Sequence, residues 1–415
     1  MPGESFRFIH ASDFHLEKPL GDLDTLPNHL RDAMADAPWA AARAVFEAAL
    51  VDNIDFVVLS GDLLSPQAAG PYGVSMLLDY FEKLHIKKTP VFWATGTADD
   101  SAKWPDTVPL PSSVTLFDKD ETLSVPVERA GRTICNVIGR SCDGRTSIHV
   151  PSFESENEYE EDFTIAVGFG DADAKSLTEA RFDFWALGGK HNPLEIELSA
   201  DSSAAYCGSP QGRCLAESGA HGYNIVDVSA DGDARVHHMQ CDTFRYCHVE
   251  IDAAEIAMAG NLRNLMSERV VRLQHESGGR HLIIGWDVTV NDAEMLHTVG
   301  DSEELLTWAR REFGHGTPSA WTSQLVVHPP AQYPASWQEE DTILGDFMRI
   351  AAKHRKSGNQ LNLLPFTEEH ELLAENTASL LAEVTAATQQ RTLDQATLLS
   401  VELLRGGKPN LVQKS

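Results

Sequence analysis

Short apolar runs alternate with longer helical patterns along the first half of the chain. One helix is predicted from about Leu30 to Val51, where apolar residues such as Ala42 and Phe46 recur at helical spacing, and another from Met76 to Leu84. Apolar runs that predict strands cover residues 7–11, 55–60, 90–95, 163–167, 183–187, 223–228 and 235–239. Strands that alternate with helices in this way predict an α/β domain whose sheet is at least partly parallel.

A second pattern begins near Cys247 and extends to the end of the chain. Strands are predicted at residues 248–251, 270–273, 282–288 and 324–327, and helices at 258–266 and 302–313. Together they predict a compact α+β module of domain size. A Pro-rich linker at 327–334 and three further helices, at 343–353, 367–387 and 393–404, complete the pattern. The chain is therefore predicted to contain three domains, at residues 1–245, 246–335 and 336–415.

Charge and cysteine content exclude several classes of protein. The chain has 415 residues, and its 33 Lys and Arg against 62 Asp and Glu give a formal net charge of −29. Such acidity excludes a protein that coats nucleic acid or a membrane surface through general positive charge. No apolar stretch approaches the roughly 20 residues that cross a bilayer, and no signal-peptide pattern is present. The six cysteines form no Cys-x-x-Cys pair, so we expect free thiols and a cytoplasmic location.

Acidic and imidazole side chains directly follow three of the predicted strands. Asp13 and His15 follow the first strand, Asp62 follows the second, and His191 follows the strand at 183–187. Open α/β sheets place their ligands at the carboxyl ends of strands. Residues two apart in an extended segment point the same way, so Asp13 and His15 are expected to face one ligand together. Two carboxylates and two imidazoles at one edge predict a site for a divalent cation.

Three motifs give the chain a resemblance to a known family. They are residues 8–16 (FIHASDFHL), 55–62 (DFVVLSGD) and 183–191 (DFWALGGKH). The chain resembles the calcineurin-like metallophosphoesterases, in particular the SbcD-type DNA-repair exonucleases and the bacterial YhaO-like proteins. Trp104-Pro105 and residues 206–213 add support. The resemblance covers about residues 5–245 well, whereas the later residues resemble the family in layout only.

The resemblance implies a fold, a chemistry and partners. The fold is a four-layer α/β/β/α sandwich with a small α+β cap domain and C-terminal helices that dock an SMC-like ATPase. The chemistry is hydrolysis of a phosphoester by an activated water between two divalent cations, usually manganese. One cation takes the positions that are Asp13, His15, Asp62 and His191 here, so this set is complete. DNA and a second copy of the chain are further expected partners, and no membrane is expected.

The chain departs from the family at the second cation. Thr97 stands where the family has an Asn, and Ala98 stands where it has the catalytic His that contacts the scissile phosphate. Gly168 and Gly189 stand where it has two His ligands. Glycine and alanine offer no side-chain ligand, and a threonine hydroxyl is a poor one. Loss of a positioned proton donor alone typically lowers a rate by about 10²–10⁴. We therefore expect one metal site, weak or altered activity, and no certain catalytic residue.

Two questions stay open at this point. Five residues near the relevant strand ends are candidates to rebuild the second site: Thr97, Asp99, Asp100, Asp171 and Asp173. The protein is either a phosphoesterase that acts on nucleic acid or a catalytically inactive nuclease-fold scaffold that binds an SMC-like ATPase, DNA or both. His10 and His221 are expected to be structural, because one lies inside a strand and the other in a turn.

Overall fold

The protein forms two compact units in a computed structural model. The first comprises residues 1–248, 271–285 and 313–323, and the second comprises 249–270, 286–312 and 324–415. The described residues are 4–21, 23, 25–100, 104–105, 107–153, 162–180, 182–199, 202–259, 261–290, 302–328 and 335–357, with seven further positions between 393 and 404. The three-domain division expected from the sequence stays a prediction.

The described residues contain strands along most of their length and helices between them. The strands are β1 (Phe6–Ala11), β2 (Phe56–Ser60), β3 (Val91–Ala94), β4 (Val114–Leu116), β5 (Leu123–Arg129), β6 (Arg132–Gly139), β7 (Thr164–Phe169), β8 (Phe184–Gly188), β9 (Leu194–Glu197), β10 (Ser203–Tyr206), β11 (Gly222–Val228), β12 (Ala234–Gln240), β13 (Phe244–Ile251), β14 (His281–Thr289) and β15 (Ala320–His328). The α-helices are α1 (Asn28–Val51), α2 (Pro66–Lys87), α3 (Ala174–Glu179), α4 (Ala253–Ala259), α5 (Leu262–Glu276), α6 (Ser302–Phe313) and α7 (Ile343–Ser357).

Two six-stranded sheets form most of the first unit. One has the order β12-β11-β1-β2-β3-β4, in which β1 to β4 are parallel. The other has the order β5-β6-β7-β8-β10-β9, in which β6, β7, β8 and β10 are parallel. In the first sheet Ala11 at the end of β1 lies opposite Leu59 of β2. The loops that carry Asp13 and Asp62 therefore leave the sheet at the same edge.

The sheets face each other across an aromatic core. Phe8 and Phe56 of the first sheet stack with their ring centroids 5.0 Å apart, and Phe184 of the second sheet meets Phe8 edge-on at 5.7 Å. Helices α1 and α2 pack on the other face of the first sheet around Phe46. Helix α3 packs on the other face of the second sheet through Leu177. The predicted four-layer α/β/β/α order is confirmed.

The strand predicted at residues 270–273 is wrong, because these residues lie inside α5. Leu262, Leu265, Met266 and Val270 are buried at helical spacing, whereas Val271 is 66% exposed. A β-branched pair alone favours a strand, but the apolar periodicity of the longer segment overrides that preference. The helix predicted at 258–266 also differs, since α4 ends at Ala259 and α5 begins at Leu262.

The remaining elements follow the predicted pattern where the structure describes them. A three-stranded sheet has the order β13-β14-β15, and α6 coincides with the predicted helix at 302–313. The predicted helix at 343–353 lies within α7, whereas residues 329–334 of the linker and the helix at 367–387 lie outside the described residues. All six cysteines are free. Within the described part of the chain, no helix has the length and apolarity needed to span a membrane.

Candidate metal centre

Two loops are joined by their backbones at the carboxyl ends of β1 and β2. The amides of Asp13, His15 and Leu16 donate to the carbonyls of Gly61, Asp62 and Leu63 at 2.9, 2.9 and 3.1 Å, respectively. This ladder continues the pairing of the two strands past their ends. The side chains of both loops are therefore fixed relative to each other before any ligand binds.

The ligand candidates on these loops have left-handed backbones. Asp13, His15 and Asp62 have φ angles of 56°, 42° and 53°. Non-glycine residues rarely adopt this region, and each instance costs on the order of 1 kcal/mol or more. The expectation that Asp13 and His15 sit in an extended segment is therefore wrong. Their side chains converge because the loop is bent twice, and the backbone ladder holds it in that form.

Three of the four predicted ligands form one cluster. The ligand atoms of Asp13, His15 and His191 all lie within 4.8 Å of one another. The Nε2 atoms of His15 and His191 face each other at 3.2 Å, and Asp62 Oδ2 lies 3.5 Å from His15 Nε2. Two atoms bound to one cation at about 2.0–2.2 Å can lie at most roughly 4.4 Å apart, so small movements would bring these groups onto one cation. The cluster thus joins residues of two loops, and Asp62, on a third loop, lies outside it but next to His15.

The two oxygens of Asp13 have different surroundings. Ser12 Oγ donates to Oδ2 at 2.5 Å, and the Gly189 amide donates to the same oxygen at 3.0 Å. Oδ1 is buried without a hydrogen-bond partner among the described residues and lies 4.0 Å from His191 Nε2. A buried carboxylate oxygen without a partner is costly unless a cation or donor satisfies it. The donor set therefore fits a cation between Asp13, His15 and His191.

Glu217 orients His191, and sequence reasoning missed this residue. Glu217 Oε1 lies 2.6 Å from His191 Nδ1, and Oε2 accepts the Arg213 amide at 2.8 Å. An ionised carboxylate can only accept, so Nδ1 carries the proton and Nε2 keeps a lone pair in the neutral ring. Such outer carboxylates are typical partners of metal-bound histidines. The only hint in the sequence is an acid in the segment that follows residues 206–213.

The protein environment changes the pKa values of the cluster. Burial raises the pKa of Asp13 to about 7, because the ionised carboxylate loses its hydration. Burial lowers the pKa of His15, so this ring is neutral and able to act as a ligand at pH 7. The hydrogen bond to Glu217 raises the pKa of His191. A cation bound here would reverse the penalty on Asp13, since it favours the ionised carboxylate.

The loop after β3 positions Asp62. The Ala98 amide donates to Asp62 Oδ1 at 2.7 Å, and Thr97 Oγ1 donates to Oδ2 at 3.1 Å. Thr97 is therefore next to the cluster, where its hydroxyl serves Asp62. Ala98 contributes only its backbone at the position where the resembling family has a catalytic His.

Asp99 is a structural acid in this arrangement. Its carboxylate accepts four hydrogen bonds, from the amides of Asp62, Gly96 and Leu63 and from Trp93 Nε1, at 2.6–3.1 Å. Because both oxygens are occupied by donors, Asp99 holds the loops after β2 and β3 together. This use of the carboxylate argues against Asp99 as a ligand of a second cation.

Asp171 and Asp173 also have partners outside the cluster. Asp171 Oδ1 lies 3.7 Å from Lys190 Nζ, and its side chain is mostly exposed. Asp173 caps α3, where its Oδ2 accepts the Ser176 amide at 3.0 Å. Neither residue joins the group formed by Asp13, His15 and His191.

The ring of Phe169 packs against three glycines around Asp62. A Cβ atom added to Gly61 or Gly96 would lie 2.5 or 2.7 Å from the Phe169 ring, and one on Gly189 would lie 3.4 Å from it. Contacts below 3.0 Å do not occur between real atoms of this kind. The Phe169 side chain therefore fills the space between these three glycines, beside Asp62.

A second aromatic residue closes the space at Gly168. A Cβ atom on Gly168 would approach Phe153 Cζ to 2.9 Å. A histidine at this position would therefore require Phe153 to move. Gly168 and Gly189 are thus both packed against aromatic rings.

The other two histidines considered from the sequence are buried away from the cluster. His10 Nε2 lies 2.8 Å from Ser60 Oγ, and burial lowers the pKa of His10 to about 3. His221 Nε2 lies 3.0 Å from the Glu217 carbonyl, and its Nδ1 lies 3.0 Å from the Ser209 carbonyl. Both act within the fold, and His221 supports the turn that presents Glu217.

Comparison with known proteins agrees with this centre. No family model matches the chain. A protein of Bacillus subtilis (strain 168) described as the uncharacterized metallophosphoesterase YhaO is 26% identical over 266 residues. This similarity supports the metallophosphoesterase superfamily. The match spans 60% of this chain and 63% of that protein, so the chain covers less than two thirds of its relative. Taken with the cluster of ligand atoms, it supports a metal-dependent phosphoesterase.

Proposed function

We propose that the protein is a phosphoesterase of the DNA-repair exonuclease type that works with one divalent cation, Mn²⁺. The observation that carries the proposal is the buried Oδ1 of Asp13. It has no partner among the described residues and lies 4.0 Å from His191 Nε2, which in turn lies 3.2 Å from His15 Nε2. Mixed carboxylate and imidazole donors suit Mn²⁺, and the same chemistry also accepts Fe²⁺ or Zn²⁺. The retained ligand set favours an enzyme over the inactive scaffold.

The packing around Phe169 supports a single cation. Gly168 and Gly189 stand where the family has two His ligands, and they pack against Phe153 and Phe169. The loop after β3 offers Thr97 and Ala98 in place of a ligand and a proton donor. A second cation would lack three of its usual side-chain ligands on this side of Asp62. We therefore propose slow turnover or an altered substrate relative to a two-cation enzyme.

Each residue of the centre has a defined task in this proposal. A bound cation supplies Lewis acidity, which lowers the pKa of a water and offsets charge on a phosphate. Asp13 and His15 would hold that cation through buried atoms, and Asp62 would face it from the loop after β2. Glu217 keeps the His191 Nε2 lone pair directed at the same point. The backbone ladder between the loops preserves the geometry, so little reorganisation is needed when substrate binds.

The proposal is tested by counting ions and measuring turnover together. The full-length protein is treated with chelator, reloaded with Mn²⁺ and assayed for bound metal per chain. Hydrolysis is followed with bis(p-nitrophenyl) phosphate and with single-stranded and duplex oligonucleotides labelled at one end. One ion and turnover above an Asp62→Ala variant are expected. Turnover equal to that variant would contradict an enzyme, and two tightly bound ions would contradict the single site.

A control variant separates the effect of losing a residue of the metal centre from the effect of losing one negative charge. Glu195 is an exposed acid on β9 of the second sheet, so Glu195→Gln removes one negative charge away from the cluster. Metal content and turnover of this variant should equal those of the wild type.

We further propose that the C-terminal helices bind an SMC-like ATPase. Helix α7 exposes Ile343 and Ile350, which are apolar side chains that a partner helix could cover. The test is co-purification of such an ATPase with the full chain and with a variant that lacks residues 341–415. Loss of binding on truncation is expected, and retained binding would contradict the proposal.

A further inference from the structure

A pocket lies at the end of β6, next to the strand that carries Phe169. Its lining includes Arg140, Arg145, His149, Phe153 and Phe169. Most of the loop that forms it, residues 143–147, is exposed. The pocket thus combines basic and aromatic side chains on an otherwise acidic chain.

The pocket and the metal centre share one wall. Phe169 lines the pocket, and its ring also packs against Gly61 and Gly189 beside the ligand cluster. The pocket loop is tied to the loop after β3, because the Cys142 amide donates to the Thr95 carbonyl at 2.8 Å and the Thr95 amide donates to Ser141 Oγ at 2.8 Å. The two sites are therefore held in a fixed relation within the first unit.

The charges of the pocket favour an anion. Arg140 makes no ion pair with any residue that the structure describes, and its side chain is half-buried. Arg145 lies 3.4 Å from Asp143, the acid of the same loop, so this pair is close to neutral. One arginine is thus left with an unbalanced positive charge in a chain whose net charge is −29. Arginine recognises phosphate through paired N–H groups.

We infer that this pocket binds a second phosphate group of the substrate, adjacent to the phosphate that is hydrolysed at the metal centre. The inference rests on the proposed phosphoesterase function and adds to it a residue, Arg140, that binds a neighbouring phosphate of the same strand. Arg140 supplies the charged contact, and the Phe169 ring separates the two phosphates. A flat apolar ring at this place also suits the face of a base.

The test compares substrates with one and two phosphates. The Mn²⁺-loaded full chain is assayed on bis(p-nitrophenyl) phosphate and on a 5′-phosphorylated thymidine dinucleotide. The Arg140→Ala variant should lower the ratio of the two kcat/KM values, dinucleotide over single phosphate, by about tenfold. The loss should lie mainly in KM, because the contact binds a part of the substrate that does not react. Arg140→Gln should act in the same direction, because it removes the charge while it keeps a polar side chain.

Arg132 provides the control, since it begins the strand that Arg140 follows. Its side chain is 79% exposed, and it pairs with Glu4 at 3.5 Å. Arg132→Ala removes the same charge at the opposite end of β6 and should leave the ratio unchanged. A ratio for Arg140→Ala within twofold of the wild type would overturn the inference.

A second measurement separates this inference from the proposed function. If the wild type hydrolyses neither substrate, the proposed function fails, and binding of pyrophosphate to the chelator-treated full chain is measured by calorimetry. Binding at least fivefold weaker in Arg140→Ala than in Arg132→Ala supports the anion pocket. Equal binding in the two variants overturns it.

Discussion

Replacement of Glu217 by glutamine tests whether an outer carboxylate controls metal binding. Glu217 accepts two hydrogen bonds, at 2.6 Å from His191 Nδ1 and at 2.8 Å from the Arg213 amide. A glutamine has one acceptor oxygen and one NH₂ donor, so it satisfies only one of these two donors. The substitution is therefore not conservative at this position, although the side chains have nearly the same shape.

The two orientations of the new amide have different consequences. With its oxygen toward Arg213, the NH₂ group faces His191 Nδ1, which must then give up its proton. The proton moves to Nε2, the atom that faces His15, and the ring can no longer bind a cation there. With its oxygen toward His191, the amide of Arg213 faces a donor, and a buried N–H is left unsatisfied at a cost of roughly 1–3 kcal/mol in folding free energy.

Loss of an outer carboxylate lowers metal affinity by about 10–100-fold in comparable sites. This range corresponds to roughly 1.4–2.7 kcal/mol of binding free energy. Calorimetric titration of Mn²⁺ into chelator-treated Glu217→Gln protein at pH 8 measures it directly, and a thermal melt of the metal-free protein reports the folding cost. Glu195→Gln is the control and should match the wild type in both measurements. If Glu217→Gln keeps its Mn²⁺ affinity within twofold and melts normally, the assigned role of Glu217 is refuted.

Three other predictions follow from the same geometry. Gly96→Ala places a Cβ atom 2.3 Å from Asp62 Oδ1, so Mn²⁺ affinity should fall at least tenfold by calorimetry. Gly21→Ala is the control, because its Cβ atom would lie 3.5 Å from the nearest atom and should leave the affinity unchanged. Asp99→Ala leaves four buried donors without their acceptor, so the metal-free protein should lose about 3 kcal/mol or more of unfolding free energy in a urea titration. Asp171→Asn is the control and should leave the unfolding free energy unchanged. Below about pH 7 a cation must displace a proton from Asp13. Mn²⁺ affinity should therefore fall as the pH drops below 7 and level off above it. Constant affinity between pH 6 and 8 would contradict this.

The layered fold, through the family resemblance, and the meeting of residues that follow separate strands could be predicted from the sequence. Parallel strands end at a common edge, so residues directly after buried apolar runs are expected to meet, and Asp13, His15 and His191 do so. The strands β5 and β6 were not predicted. In β5 (LSVPVER) apolar and polar residues alternate, but Pro126 interrupts the run, which fits the position of β5 at the edge of the second sheet. The strand predicted at residues 270–273 was wrong because a local β-branched pair concealed a longer helical period.

The local conformation of the centre could not be predicted from spacing. Asp13 and His15 are two apart, which places them on one face of a strand, but both have positive φ and belong to a bent loop. The bend depends on backbone hydrogen bonds to residues 61–63, almost 50 positions away. Glu217 was missed for a similar reason, because its distance from His191 is set by the turn between β10 and β11 and by no motif.

The proposed loss of the second ligand set has a consequence for charge that links the two proposals. A phosphate approaching hydrolysis carries negative charge on several oxygens, and a two-cation site offsets it from both sides. Here one side is the Phe169 ring, which offsets none. Two basic side chains remain near that side: Lys190, whose Nζ already lies 3.7 Å from Asp171 Oδ1, and Arg140. Because only Arg140 is without an acidic partner among the described residues, its contribution should increase with the number of phosphate charges on the substrate.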